Sequence, residues 1–132
     1  MALTYSTAIA NARLDVVEST IGASAILRIR TGAPPATVAS ASTGTVLATV
    51  NLPSDWMAAA SGRSKAKSGT WTDASADATG TAGHFEIVAS DGTTVGMRGT
   101  VGTSSADMIV NTTSFNSGET FTVNTFTLNA GN

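Results

Sequence analysis

The sequence predicts one mainly β domain: an antiparallel β-sandwich or jelly roll with a single N-terminal α-helix, divided as a helical segment over 1–22 and a sandwich over 23–132. Three observations lead there. The segment Thr120–Asn129 alternates polar and apolar residues, as a strand with one buried face and one Thr/Asn face does. About seven or eight short segments of this kind follow one another with turn residues between them, a spacing that fits an antiparallel sandwich or barrel rather than βαβ units. Only one segment, near the N-terminus, has helical periodicity.

That segment runs from about Thr7 to Ile21. Ser6 or Thr7 can cap it by offering a side-chain oxygen to an orphan backbone N–H, and Gly22 is placed as a C′ glycine. Ile9, Ala12, Val16, Val17 and Ile21 form its apolar stripe, expected to dock on the sheet or on another subunit.

Ala25–Thr31 then reads as a strand with Leu27 and Ile29 on one face and Arg28 and Arg30 on the other. Pro34 and Pro35 close it, since proline cannot continue a central ladder. Thr45–Leu52 is a second strand, stopped by Pro53. Asp55–Met57 reads as a turn or a helix start with Trp56 tucked against the core. Arg63, Lys65 and Lys67 alternate on what reads as an edge strand, where lysine discourages edge-to-edge pairing. Gly69–Thr72 is a short strand and Asp73–Gly80 a loop. Gly83–Ser90 and Thr94–Val101 flank Asp91-Gly92, a hairpin turn because Asp-Gly tolerates positive φ. Ala106–Asn111 and the final strand complete the order.

Composition restricts function. Of 132 residues, 42% are hydrophobic, but 22 are alanine and ten are valine. Alanine contributes far less on burial than the roughly 1.5–3 kcal/mol of a Val, Leu, Ile or Phe, so further apolar surface is expected to be buried between subunits. Charged residues are 12%, about half the usual share, and net charge is −2. That balance gives no basic excess for nucleic acid. Serine and threonine number 37, and the Thr, Val and Ile content favours an ordered sheet over disorder. Cysteine is absent, so neither disulfides nor thiolate metal sites are possible. The first residues lack the basic and apolar regions of a secretory signal, and no apolar stretch is long enough to span a membrane.

No constellation of catalytic type stands out. His84 is the one histidine, in a strand beside Phe85 and Glu86, and reads as a surface or sheet-face residue rather than a relay base. Asp73, Asp77, Asp91 and Asp107 sit in turns, too sparse for a calcium loop and suited to Asx-turns. Gly99–Thr103 is glycine-rich but lacks the lysine and following helix of a phosphate loop. The reading is therefore of no catalytic, cofactor or metal residues. The candidate partner contacts are Ile9, Val16, Arg63, Lys65, Lys67 and Trp71. Trp71 and Trp56 are alternatively core anchors or, in a third reading, a sugar-stacking platform.

Ser6–Arg13, Leu27–Pro35, Gly44–Thr49, Ala76–Phe85, Asp91–Val95 and Asn111–Ser114, in that order, resemble a widespread group of short proteins encoded among the virion genes of tailed bacteriophages. The resemblance covers nearly the whole chain and rests on structural punctuation. It implies a non-enzymatic virion protein, made in the bacterial host cytoplasm and ending in the phage particle. The first role it implies is a capsid decoration (cement) protein that binds and stabilises the major capsid shell. Tail, neck or baseplate protein, or a carbohydrate-binding module of the virion, are the alternatives. The implied partners are the major capsid protein or other virion proteins and a second or third copy of itself as homodimer or homotrimer, with no nucleic acid and no membrane. It offers no cofactor and no catalytic residue to carry over.

Overall fold

In the computed structural model, which describes residues 3–130, the chain is mainly β with one helix at its start. Helix α1 spans Thr7–Ile21. The strands are β1 Ile26–Thr31, β2 Val46–Asn51, β3 Ser64–Ala66, β4 Thr72–Asp73, β5 Gly80–Val88, β6 Val95–Gly102, β7 Met108–Val110, β8 Ser114–Phe115 and β9 Phe121–Asn129.

The caps are the expected ones. Ser6 accepts from the Ile9 N–H, and Gly22, at φ +99°, donates its N–H to the Glu18 carbonyl. The hairpin between β5 and β6 turns at Asp91-Gly92. There the Asp91 carboxylate accepts the N–H groups of Thr93 and Thr94 and the Thr94 hydroxyl, and Gly92 sits at φ +76°.

The strands form one sheet in the order β2-β1-β5-β6-β7-β9-β3, with β4 also on β9 and β8 on β5. It curls into a half-barrel, a sandwich-like arrangement around one core. The curl brings its ends together: Thr49 of β2 donates its N–H to Asp73 of β4, and Asp77 donates its own to Leu47. The pairings are antiparallel except β6 with β7, which run parallel through Val101–Met108 and Gly102–Ile109. A five-residue loop makes that parallel return, held by Thr100 and Asp107, whose side chains bond each other and each other's backbone N–H. The alternation along β9 changes phase at Asn124 and Thr125, both exposed. Phe121 and Val123 face inward before them, Phe126 after them, and the register with β7 slips at the same place.

Leu27, Ile29, Leu47, Phe85, Ile87, Met108 and the aromatic rings fill the core. Trp56, Trp71, Phe126 and Phe85 form a chain of rings with centroids 6.1, 5.7 and 5.4 Å apart, tilted or edge-on as ring quadrupoles prefer. Both indoles are satisfied, Trp56 by the Gly22 carbonyl and Trp71 by that of Ser68. No helix forms at Asp55–Met57; Met57 instead makes a lone bridge to Lys67.

Candidate functional surface around helix α1

The helix presents a different face to the sheet from the one its sequence suggested. Ala10 and Leu14 are buried, Val17 and Ile21 half-buried, and these four share one face at helical spacing. Ile9 and Val16 point away, 49% and 57% exposed, and Ala12 is exposed with them. Two apolar stripes compete on this helix. The sheet takes the one ending at Ile21, because Gly96 of β6 has no Cβ and lets Ile21 lie against it; a Cβ there would be 2.4 Å from Ile21 Cγ1.

A polar flank fixes the helix to β3 and the segment before it. Asn11 accepts the Arg63 N–H, Asp15 that of Ala60, and Glu18 that of Met57. Lys65 is buried beneath this flank, with Nζ 2.8 Å from Asp15 Oδ1, 2.9 Å from the Ala58 carbonyl and 3.1 Å from Glu18 Oε1. Burial works against the charged lysine, yet the two carboxylates outweigh it and hold its pKa above the ordinary 10.5. Lys65 in turn, with the Ala60 N–H, keeps Asp15 below its ordinary value.

Of the predicted contact residues, then, Ile9 and Val16 are on the surface, while the basic group is engaged internally. Lys65 faces inward under α1. Arg63, at φ +69°, donates to the Tyr5 carbonyl. Lys67 donates to the Gly69 carbonyl and lies 6.0 Å from the Trp71 ring centroid. Trp71 and Trp56 are fully buried, so neither offers a ring face for stacking a sugar. Trp71 is a core anchor rather than a surface contact. No sequence pattern marks the exposed pair Leu3 and Tyr5, 70% and 37% exposed, which extend the apolar surface ahead of the helix. Tyr5 is steadied by Arg13, whose guanidinium lies 4.9 Å from its ring centroid.

The ionisable residues elsewhere hold loops. Glu86, fully buried on β5, receives Arg30 at 2.9 Å, Arg98 at 3.3 Å and the Ser42 hydroxyl at 2.8 Å. Burial pushes its carboxyl up; Ser42 and Arg30 outweigh that and hold it below the ordinary 4.5. Arg98 also donates to the carbonyls of Thr37, Val38 and Ser40, pinning the small-residue loop between β1 and β2 against the outer face of the sheet. His84 is buried under the same loop. Its Nδ1 meets the Gly32 carbonyl at 2.9 Å, and its Nε2 has no partner. Asp73, Asp77, Asp91 and Asp107 each accept hydrogen bonds from neighbouring loop or strand groups.

Compared with known proteins, the chain matches no family model, no curated protein and no solved structure.

Proposed function

We propose that the chain is a structural protein of a phage particle, a capsid decoration (cement) protein that binds the major capsid shell and stabilises it without catalysing a reaction. The observation that carries this reading is the two-sided helix. α1 buries one apolar face on its own sheet and leaves Ile9 and Val16, continued by Leu3 and Tyr5, open to a neighbour. A helix that is apolar on its sheet-facing side and on an adjoining exposed flank suits a position between two packed surfaces. The resemblance of the chain's punctuation to tailed-phage virion proteins supports the same reading.

The charges fit this role as well. Glu86, Arg30 and Arg98 hold a loop, and Lys65, Asp15 and Glu18 hold the helix. Contact with a shell through the α1 surface would then rest on apolar side chains and hydroxyls, and would vary little with ionic strength. Binding many copies to the folded shell stabilises both by mass action.

Stoichiometry in purified particles tests the proposal. A copy number comparable with that of the major shell protein, together with DNA leakage on heating of particles that lack the chain, is the expected result. A much lower copy number assigns it to the tail, neck or baseplate instead. Its absence from mature particles overturns the reading.

A further inference from the structure

Strand β6 is eight residues long, yet on the side away from β5 it has a strand partner only at Val101 and Gly102. The N–H of Thr100 turns to that side and donates to Asp107. The two-residue period of a strand puts the N–H and C=O of Arg98 on the same side. Among the described residues, no backbone group bonds them there.

Helix α1 runs beside this open edge. Between them lie two cavities, of about 720 and 440 Å³, that share Val17 and Gly96. Leu14 and Val17 form the helix wall of the larger one, Phe85 and Phe126 line its depth, and Val16 stands at the rim of the smaller. A free strand edge beside a helix, over an apolar floor, is the arrangement in which an extended peptide adds to a sheet.

We propose that this groove takes the N-terminal arm of a second copy of the chain, with Leu3–Ser6 laid along Val95–Gly99 as an added strand. The arm has the chemistry the groove calls for. It belongs to no helix or strand of its own chain, and Ser6 is extended at φ −63°, ψ 156°. Leu3 and Tyr5 alternate with Thr4 and Ser6, no residue in it is charged, and Leu3 is 70% exposed. The groove offers no unspent charge, since Arg98 and Asp107 are both bonded within their own chain. At about 3.3 Å per residue the arm spans roughly 13 Å, within the length of the open edge. In its own chain the arm lies elsewhere: Arg63 ties the Tyr5 carbonyl at the β3 flank of the helix, and β7 and β9 lie between β3 and β6, so entry into a partner's groove releases that one tie. Reciprocal exchange of arms gives a two-fold dimer. This inference gives Leu3 and Val16, two of the residues that the proposed function leaves open to a neighbour, to a second copy; it is tested on the purified chain alone, where no shell is present.

The experiment is sedimentation equilibrium of the full chain and of the Leu3→Asp and Val16→Asp variants, with amide exchange read at Arg98. Both substitutions are at exposed positions, and an unchanged thermal unfolding midpoint at low concentration certifies each fold. The expected result is a dimer in which the Arg98 amide is protected. Either variant should weaken dimerisation about tenfold or more, through the lost burial of one aliphatic side chain, and release that amide. A chain that stays monomeric at all concentrations overturns the proposal. So does a dimer indifferent to Leu3→Asp, or one in which the Arg98 amide exchanges freely.

Discussion

Glu86 and Arg98 face each other across β5 and β6, with Arg98 Nη2 3.3 Å from a carboxylate oxygen that solvent does not reach. Arg30 reaches the other oxygen from β1, so three adjacent strands meet at one buried anion. Breaking such a cluster from one side strands the remaining charges. Glu86→Gln keeps the shape and removes the charge, leaving two guanidinium groups under the β1–β2 loop. The expected loss is about 3–5 kcal/mol in chemical denaturation. Faster amide exchange at Thr45, whose N–H closes the neck of that loop on Thr31, should accompany it.

The glycines beneath that loop and beneath the helix differ in what they tolerate. A Cβ on Gly83 would lie 2.0 Å from the Gly32 carbonyl oxygen, which is backbone and cannot move alone. A Cβ on Gly96 would meet the Ile21 side chain, 2.4 Å from Cγ1 and 2.5 Å from Cδ1, atoms that a change of rotamer can move without the backbone. Overpacking costs about 1–3 kcal/mol and more where backbone must shift. Gly83→Ala should therefore fall at or above the top of that range and Gly96→Ala near its bottom. Parallel thermal melts of the two variants check the order.

Stability should be level across the middle of the pH scale and fall at both ends. Thr94 and the N–H groups of the turn hold the Asp91 carboxyl down to about 2, from its ordinary 3.8. Glu86 too is held below its ordinary 4.5. For a group lowered by folding, the contribution is complete above the unfolded value and is lost as pH falls toward the folded one. Lys65 is raised above 10.5, so its contribution is complete below that value and is lost as pH rises past it. Denaturation midpoints should form a plateau between roughly pH 5 and 10. A carboxyl carbon titration by NMR should place the Asp91 midpoint near 2.

Local chemistry was readable from the sequence where a few adjacent residues decide the outcome. Ser6 and Gly22 marked the helix ends, Asp91-Gly92 the hairpin, and the strands appeared within a few residues of their predicted limits. What depended on distant partners was not readable. Lys65 looks like an edge-strand lysine until Asp15, 50 residues away, is folded over it. The two-residue strand β8 has too little sequence to show a period. The parallel pairing of β6 with β7 depends on Thr100 and Asp107 bonding across a loop. For the helix, the sequence held two apolar stripes, and the gap at Gly96 together with the polar contacts to β3 and the segment before it selects the inner one.

That selection gives the sharpest separation of fold from assembly. Leu14 is 6% exposed against the sheet, whereas Val16 is 57% exposed one flank away. Leu14→Ala should cost the isolated chain about 2–5 kcal/mol, because the neighbouring strands cannot collapse fully into the space it leaves. Val16→Asp should change the same unfolding free energy by no more than about 0.5 kcal/mol, as surface substitutions do. If α1 carries the contact with a neighbour, the order reverses when association is measured. Val16→Asp should then abolish incorporation into particles, while Leu14→Ala, assayed below its melting temperature, should retain it. Urea titration and particle co-sedimentation of the two variants read the two halves of the argument separately. Normal incorporation of Val16→Asp would move the binding surface off the helix.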